Sequence, residues 1–358
     1  MIIKKGEILL KIKEILFCCF VFTFVSCASL KNKNINSPDW IKIKEISNFY
    51  PKEKFLSSVG VGKSPEIAKN NADAELSSYF SAFVKSNSFF KENFSSANDE
   101  ISSQKEFVKT VFVNSEIKLF ALKHSDVCFD KNSQNYVLCA YINREEGLDF
   151  VEPKIQEKSA CINSFFQKAK SESENFYKII FLNKVLNESQ DFYDLYYFLL
   201  GINSEKAKKY FFITEEIKNS RELIFELKQN AKIFIKADAD VENRIKTKLA
   251  EIFSKEGFAV VDVSEISVNK GTNFYTANIF VDFKIFENNG IFTSYPSLNI
   301  YIKEVNPFFK EKTLVSFERR FGKISSYEKE MCKRMFMQRI ENELENNFIK
   351  EVINGSGY

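Results

Sequence analysis

Phe55-Leu56-Ser57-Ser58-Val59-Gly60-Val61-Gly62-Lys63-Ser64-Pro65 is the stretch on which the reading of the fold turns. Residues 55–62 read as a strand, and Ser64-Pro65 opens a helix directly behind it. Ser64 is a good N-cap, and Pro65 suits the first helical position because its missing amide has no helical partner to lose. Ala68, Ala72, Leu76, Phe80 and then Phe83 or Val84 recur at helical spacing, so one stripe of that helix is apolar. The small residues at its start let it approach a sheet closely. A strand running straight into an amphipathic helix predicts an α+β fold.

The same stretch contains a false lead. A phosphate loop reads G-x-x-x-x-G-K-[ST] between a strand and a helix, and Gly62-Lys63-Ser64 supplies its second half. The first glycine is replaced by Ser57, which lies inside the strand, so no wide loop of amides is left to cradle phosphate. Gly60 and Gly62 are expected to permit a tight strand-to-helix turn against the sheet, and no nucleotide is expected.

Downstream, Phe107–Val113 is expected to end a second helix. Ile117–Phe129 and Tyr136–Ile142 read as paired strands around the turn-rich Asp130–Asn135. A hairpin centred between Ser133 and Gln134 sets Cys128 opposite Cys139 at ~4.5–5.5 Å between Cα atoms, within reach of a disulfide. Two readings stay open: a bridge in an exported protein, or two reduced thiols on one buried face. Cys161 and Cys332 read as separate buried thiols, with a bridge between them as the alternative.

Chemistry beyond these thiols is thinly signalled. The single histidine, His124, falls in a strand near Ser125 and Asp126, with nothing in the spacing to make it a triad member. One histidine and scattered cysteines lack metal-ligand spacing. Asp238-Ala239-Asp240-Val241-Glu242 lacks the turn glycine of a calcium loop and reads as a helix start, its acids complementing the dipole. No catalytic, cofactor or metal residue is assigned.

Upstream, Ile15–Val25 forms a greasy run with Lys4, Lys5, Lys11 and Lys13 before it. It is signal-peptide length, shorter than the ~18 apolar residues of a membrane span. Phe24-Val25-Ser26-Cys27 matches a relaxed bacterial lipobox. Cys27 is therefore the expected lipidation site and the first mature residue, with palmitate-type chains each contributing ~0.8 kcal/mol per buried CH2. Ala28 to Ser37 is a polar tether reaching at most ~35 Å. Ala28, not Asp, follows the cysteine, which by the sorting rule of diderm bacteria points to the outer membrane. The whole-chain charge of +3, less the +2 carried by four lysines and two glutamates in residues 1–26, leaves +1. Lys and Glu are interspersed, so no nucleic-acid partner is implied.

Residues 146–230 read as mostly helical, through Phe165-Phe166, Ile179-Ile180-Phe181 and Tyr196–Leu200, with Gly201-Ile202-Asn203 breaking the run. No repeat period is sustained. Beyond them come a strand at 231–235, a helix over 241–255 stopped by Gly257, and strands at 258–263, 274–286, 298–305 and 312–321. Ser325-Ser326-Tyr327-Glu328 reads as a capping box before a last helix, with Phe336, Ile340, Leu344 and Phe348 on its apolar side. That order implies a two-layer sandwich.

Pro38-Asp39-Trp40 near the start, the strand ending Val59-Gly60-Val61-Gly62, the alanine-bearing helix and the hairpin closing Tyr136–Arg144 together resemble the twenty-kilodalton bacterial lipoprotein domain family over about residues 37–146. The likeness implies an envelope lipoprotein with an α+β domain and no catalytic residues to transfer. The C-terminal part is more loosely similar, by element order alone, to accessory domains of curli-export and flagellar-collar lipoproteins. The expected organisation is a signal peptide at 1–26, lipidated Cys27 with its tether to 37, an α+β sandwich at 38–146, a helical connector at 147–230, a second α+β sandwich at 231–353 and a tail at 354–358. The expected role is a non-enzymatic, membrane-anchored binding or scaffolding module with envelope protein partners. The alternatives are a lipid or peptidoglycan binder, or an envelope hydrolase whose acids no motif reveals.

Overall fold

The computed structural model describes residues 46–86, 118–237, 240–262, 273–305 and 312–355. They form a mixed α+β protein in two compact units. The first holds the described residues up to Leu76 together with Lys123–Tyr141, and the second holds the remainder. Cys27, the tether, Trp40, the Phe107–Val113 segment, Asp238 and Ala239 lie outside the described residues.

In the first unit a 3-10 turn at Ile46–Asn48 precedes strand β1 (Phe55–Gly62), which passes through Lys63-Ser64 into helix α1 (Pro65–Ser86). The Ser64 hydroxyl accepts a hydrogen bond from the Ile67 amide at 3.2 Å, as its N-cap position requires. β2 (Lys123–His124) and β3 (Cys128–Asp130) pair with β4 (Asn135–Asn143), the central strand, and β1 lies on its other side. Strand alternation sorts the faces. Ser58 and Gly60 turn toward α1, where the Ser58 hydroxyl donates to the Ala72 carbonyl at 2.6 Å. Val59, Val137, Cys139 and Tyr141 turn the other way and pack with Ile46 and Tyr50.

Contact between β1 and α1 is backbone to backbone. A Cβ on Gly60 would stand 1.9 Å from the Ala68 carbonyl oxygen and 2.4 Å from the Ala72 nitrogen, and one on Gly62 would stand 2.5 Å from the Ala68 nitrogen. The two glycines therefore serve close approach of strand and helix, and the phosphate-loop reading has no loop on which to stand.

The hairpin corrects the expected cysteine pairing. Cys128 pairs with Val137, Phe129 with Tyr136 and Asp130 with Asn135, which centres the turn between Asn132 and Ser133. The Asp130 carboxylate sets this register by accepting from the Asn132 and Ser133 amides and the Ser133 hydroxyl, at 3.0, 3.3 and 2.7 Å. Gln134 closes the loop at φ +54°. Cys139 lies opposite Ser125, whose amide donates to the Cys139 carbonyl at 2.8 Å. Cys128 and Cys139 are diagonal neighbours, ~7–8 Å apart between Cα atoms, beyond ordinary disulfide range; both are free and buried.

The second unit opens with α2 (Arg144–Ser171), capped by the Asn143 side chain, then α3 (Asn175–Ile202), α4 (Ser204–Lys208) and α5 (Phe211–Gln229). α3 ends at the expected break, with Asn203 extended and its side chain capping α4 at the Lys206 amide. A Cβ on Gly201 would stand 2.2 Å from the Phe80 ring, so α3 needs a glycine there. The five-stranded sheet has the order β11-β10-β7-β5-β6. Its strands are β5 (Ala231–Lys236), β6 (Ala259–Val260), β7 (Asn273–Asp282), β10 (Ser297–Glu304) and β11 (Lys312–Arg320). β5 runs parallel to β6 and β7, while β7, β10 and β11 alternate in direction. α6 (Asp240–Lys255) stops before Gly257, at φ +87°, and α7 (Lys329–Glu343) continues as a π-helical stretch over Leu344–Ile353.

The expected connector at 147–230 is not a separate body. Phe176, Ile179 and Ile180 of α3 belong to the same core as Ile233, Tyr275, Ile300 and Phe317 of the sheet and Phe336, Ile340 and Phe348 of the last helix. Tyr177 donates to the Leu314 carbonyl at 2.6 Å, and the buried Asn183 amide donates to Ile353 at 2.9 Å. The reason is compositional: apolar residues crowd both ends of α3, Phe176–Leu182 and Phe192–Ile202, and most of them are buried. The expected capping box also fails. Ser325 and Ser326 belong to strand β12 (Ile324–Ser326), and α7 starts after Glu328 without a side-chain cap.

Gly60→Ala is expected to destabilise the chain by at least about 3 kcal/mol, since a backbone clash has no side chain to move aside. Gly290→Ala, at φ +74° with open space around it, should cost about 1–2 kcal/mol. Urea denaturation of both variants checks the contrast.

Candidate binding face

Beyond Asp282 the sheet acquires an extension where residues 287–297 carried no expected strand. β8 (Ile285–Asn288), β9 (Ile291–Ser294) and β12 form a small antiparallel sheet in the order β12-β9-β8. Asp282 pairs with Ser297 and Ile285 with Ser294, so the register is unbroken from β7/β10 into β8/β9. Residues 273–304 are thus one long hairpin, interrupted at Phe283-Lys284 and Tyr295-Pro296, where proline has no amide to give the ladder. Its tip is Asn289-Gly290, with φ +50° and +74°, the two-residue I′ geometry that Asn-Gly favours. β12 extends β11 with a one-residue slip: Ser297 faces Arg320, but Ser294 faces Ile324.

One side of this extension is buried. Ile285 and Phe292 pack on the main core, Ser294 and Ile324 are fully covered, and the Cys332 thiol donates to the Phe292 carbonyl at 3.2 Å. The other side carries Phe286, Thr293 and Ser325 in one row, with the Thr293 and Ser325 hydroxyls 3.1 Å apart. The next row toward the tip holds Asn288 and Ile291, with Tyr327 one residue past the end of β12. The row toward the main sheet holds Lys284, Tyr295 and Lys323, each one residue beyond the paired strands. Phe286 is 60% exposed, Tyr295 65%, Tyr327 81% and Ile291 37%.

Taking ~200 Å² for a whole aromatic side chain, the three rings alone present roughly 400 Å² of apolar surface to solvent. The rings stand on three different strands around the Thr293 and Ser325 hydroxyls, so the face mixes apolar and polar groups. The face carries Lys284 and Lys323 and, one row further in, Arg320 and Asp282, all exposed. The carboxylates adjacent in sequence, Glu287 and Glu328, alternate to the opposite side.

The residues singled out from the sequence do not converge on a reactive centre. His124 Nε2 lies 2.6 Å from Asp73 Oδ1 on α1. The Ser125 hydroxyl donates to the Asp126 carbonyl and accepts from the Cys139 amide, so the sheet engages it on both counts. Burial raises Cys139 to about 12, partly offset by a hydrogen bond from the Ser58 backbone, and raises Cys128 as well. Tyr50, on the same face as Cys139, is pushed to about 12 by burial and then by the charges of Cys139, Tyr141 and Asp126. Cys161 is half-buried and Cys332 buried, both free. Among the described residues no cluster of three or more His, Cys, Asp or Glu could hold a metal ion, and no helix is long and apolar enough to cross a membrane.

No family model and no curated protein matches the chain. Among solved structures it aligns with a secreted protein from Helicobacter pylori at 12% identity, covering 81% of this chain and 97% of that one, with a TM-score of 0.33. So loose a superposition carries no argument about fold or role.

The raised Cys139 and Tyr50 values set an alkaline limit on the first unit. Unfolded, these groups ionise near their ordinary 9.0 and 10.0, while folded they hold their protons to about 12. Stability is therefore expected to fall as pH rises from about 9 toward 12. The fall should be shallower in Tyr50→Phe and Cys139→Ala, as read from the urea midpoint against pH.

Proposed function

We propose that this chain is an exported lipoprotein of the bacterial envelope, held to a membrane through acylated Cys27, and that it works as a binding module through the outward face of the β8-β9-β12 sheet. The observation that carries the binding role is the exposure of Phe286, Tyr295 and Tyr327 on one side of a sheet whose other side is anchored in the core. On the reverse side of the same strands Phe292 packs against the core and Ile324 is buried. The register of the long hairpin holds the backbone at Phe286, and Tyr295 and Tyr327 flank the paired strands by one residue each.

Anchorage rests on the lipobox Phe24–Cys27 and its basic flank. The resemblance of residues 37–146 to the twenty-kilodalton lipoprotein domains supports the same address. A non-enzymatic role is the simpler reading, because His124 and Ser125 are both engaged in holding the first sheet together. Envelope partners reached by a tethered protein need only modest intrinsic affinity, since confinement to one surface raises the effective concentration.

Two measurements test this reading. Mass spectrometry of the mature N-terminus should find diacylated or triacylated Cys27, and Cys27→Ser should leave the chain unacylated and release it from the membrane fraction. A photo-crosslinking residue in place of Tyr327 should give discrete adducts in intact cells, absent when it replaces exposed Ser316 on β11. An unmodified N-terminus would sink the anchorage, and equal labelling at both positions would sink the binding face.

A further inference from the structure

The binding face carries a chemical pattern that narrows its occupant. From the Lys284, Tyr295 and Lys323 row to the Asn288, Ile291 and Tyr327 row it spans about 14 Å along the strands and about 10 Å across three of them. Rings and one aliphatic side chain alternate with hydroxyl and amide groups, and the adjoining row brings the charges to three cations, Lys284, Lys323 and Arg320, against one carboxylate, Asp282. No ion pair joins Lys284 or Lys323 to a carboxylate among the described residues, so both ammonium groups face solvent. Resting on the binding role assigned above, we infer that the occupant is an acidic glycan, a hydroxylated polymer bearing carboxylates, laid across the face of β8-β9-β12.

Three considerations favour that chemistry over the other occupants. The face is three strands wide and only about 14 Å long, dimensions that suit a narrow polymer laid across it. Thr293, Ser325 and Asn288 lie within the face, and hydrocarbon offers such groups no hydrogen-bond partners, which disfavours a bilayer. Aromatic faces are electron-rich and attract the C–H faces of sugar rings, while sugar hydroxyls meet the Thr293, Ser325 and Asn288 groups. The excess of cations complements carboxylates along the polymer.

Affinity electrophoresis of the purified full-length chain, with polygalacturonate or neutral dextran cast in the gel, tests the inference. Retardation is expected in polygalacturonate and not in dextran, and it should weaken as salt rises. Tyr295→Ala with Tyr327→Ala, and separately Lys284→Glu with Lys323→Glu, should each raise the apparent Kd at least tenfold with unchanged circular dichroism. All four positions are exposed, so folding is not at stake. Absence of retardation, equal retardation of the variants, or binding instead to phosphatidylglycerol vesicles or a single-stranded oligonucleotide would overturn the acidic-glycan assignment. If the Tyr327 photo-adducts persist in that event, the binding face stands and only its ligand class falls. If they are missing too, both fall.

Discussion

At Gly60 the backbones of β1 and α1 come so close that no side chain fits between them. That single constraint orders the first unit. It explains why Ala68 and Ala72 follow at helical spacing, why the Ser58 hydroxyl can reach the Ala72 carbonyl, and why the strand must pass into the helix with almost no loop. With one face of the sheet sealed by α1, the apolar side chains of the other face, Val59, Val137, Cys139 and Tyr141, need their own cover, which Ile46 and Tyr50 supply.

In the second unit the corresponding constraint is that α3 carries more apolar side chains than one face can hold, most of them buried. Its N-terminal turns close the core between the five-stranded sheet and the last helix, and its later turns pack with α2 and α5. The same demand for cover is met on the inner side of the β8-β9-β12 extension and left unmet on the outer side. Phe292 and Ile324 are drawn in, while Phe286, Tyr295 and Tyr327 stay in water. A difference of one residue in strand position separates the two fates, so the exposed rings follow from register and not from disorder.

Register also decides what the cysteines can do. The Asp130 carboxylate stabilises a four-residue turn that moves Cys128 opposite Val137, and the two thiols end as buried neighbours on diagonal positions. Their burial, like that of Tyr50, ties the first unit to the protonated forms of groups that water would ionise more readily.

Much was legible along the chain. The strand and helix around Ser64-Pro65, the apolar stripe Ala68 to Phe80, the break at Gly201–Asn203, the stop at Gly257 and most C-terminal strands each rest on local propensity or spacing, which neighbours in sequence carry by themselves. The β8-β9-β12 extension also left a local mark, Asn289-Gly290 between Ile285–Asn288 and Ile291–Ser294, a hairpin signal lying between the expected strands at 274–286 and 298–305. Tertiary structure alone decided the rest. The Cys128 register depended on a carboxylate turn, the strand at Ile324–Ser326 replaced a capping box because Ser294 and Thr293 offered it a ladder, and the supposed connector merged with the C-terminal core. Periodicity tells which side of an element is apolar; only the packed chain determines which of those sides find cover and which remain in water.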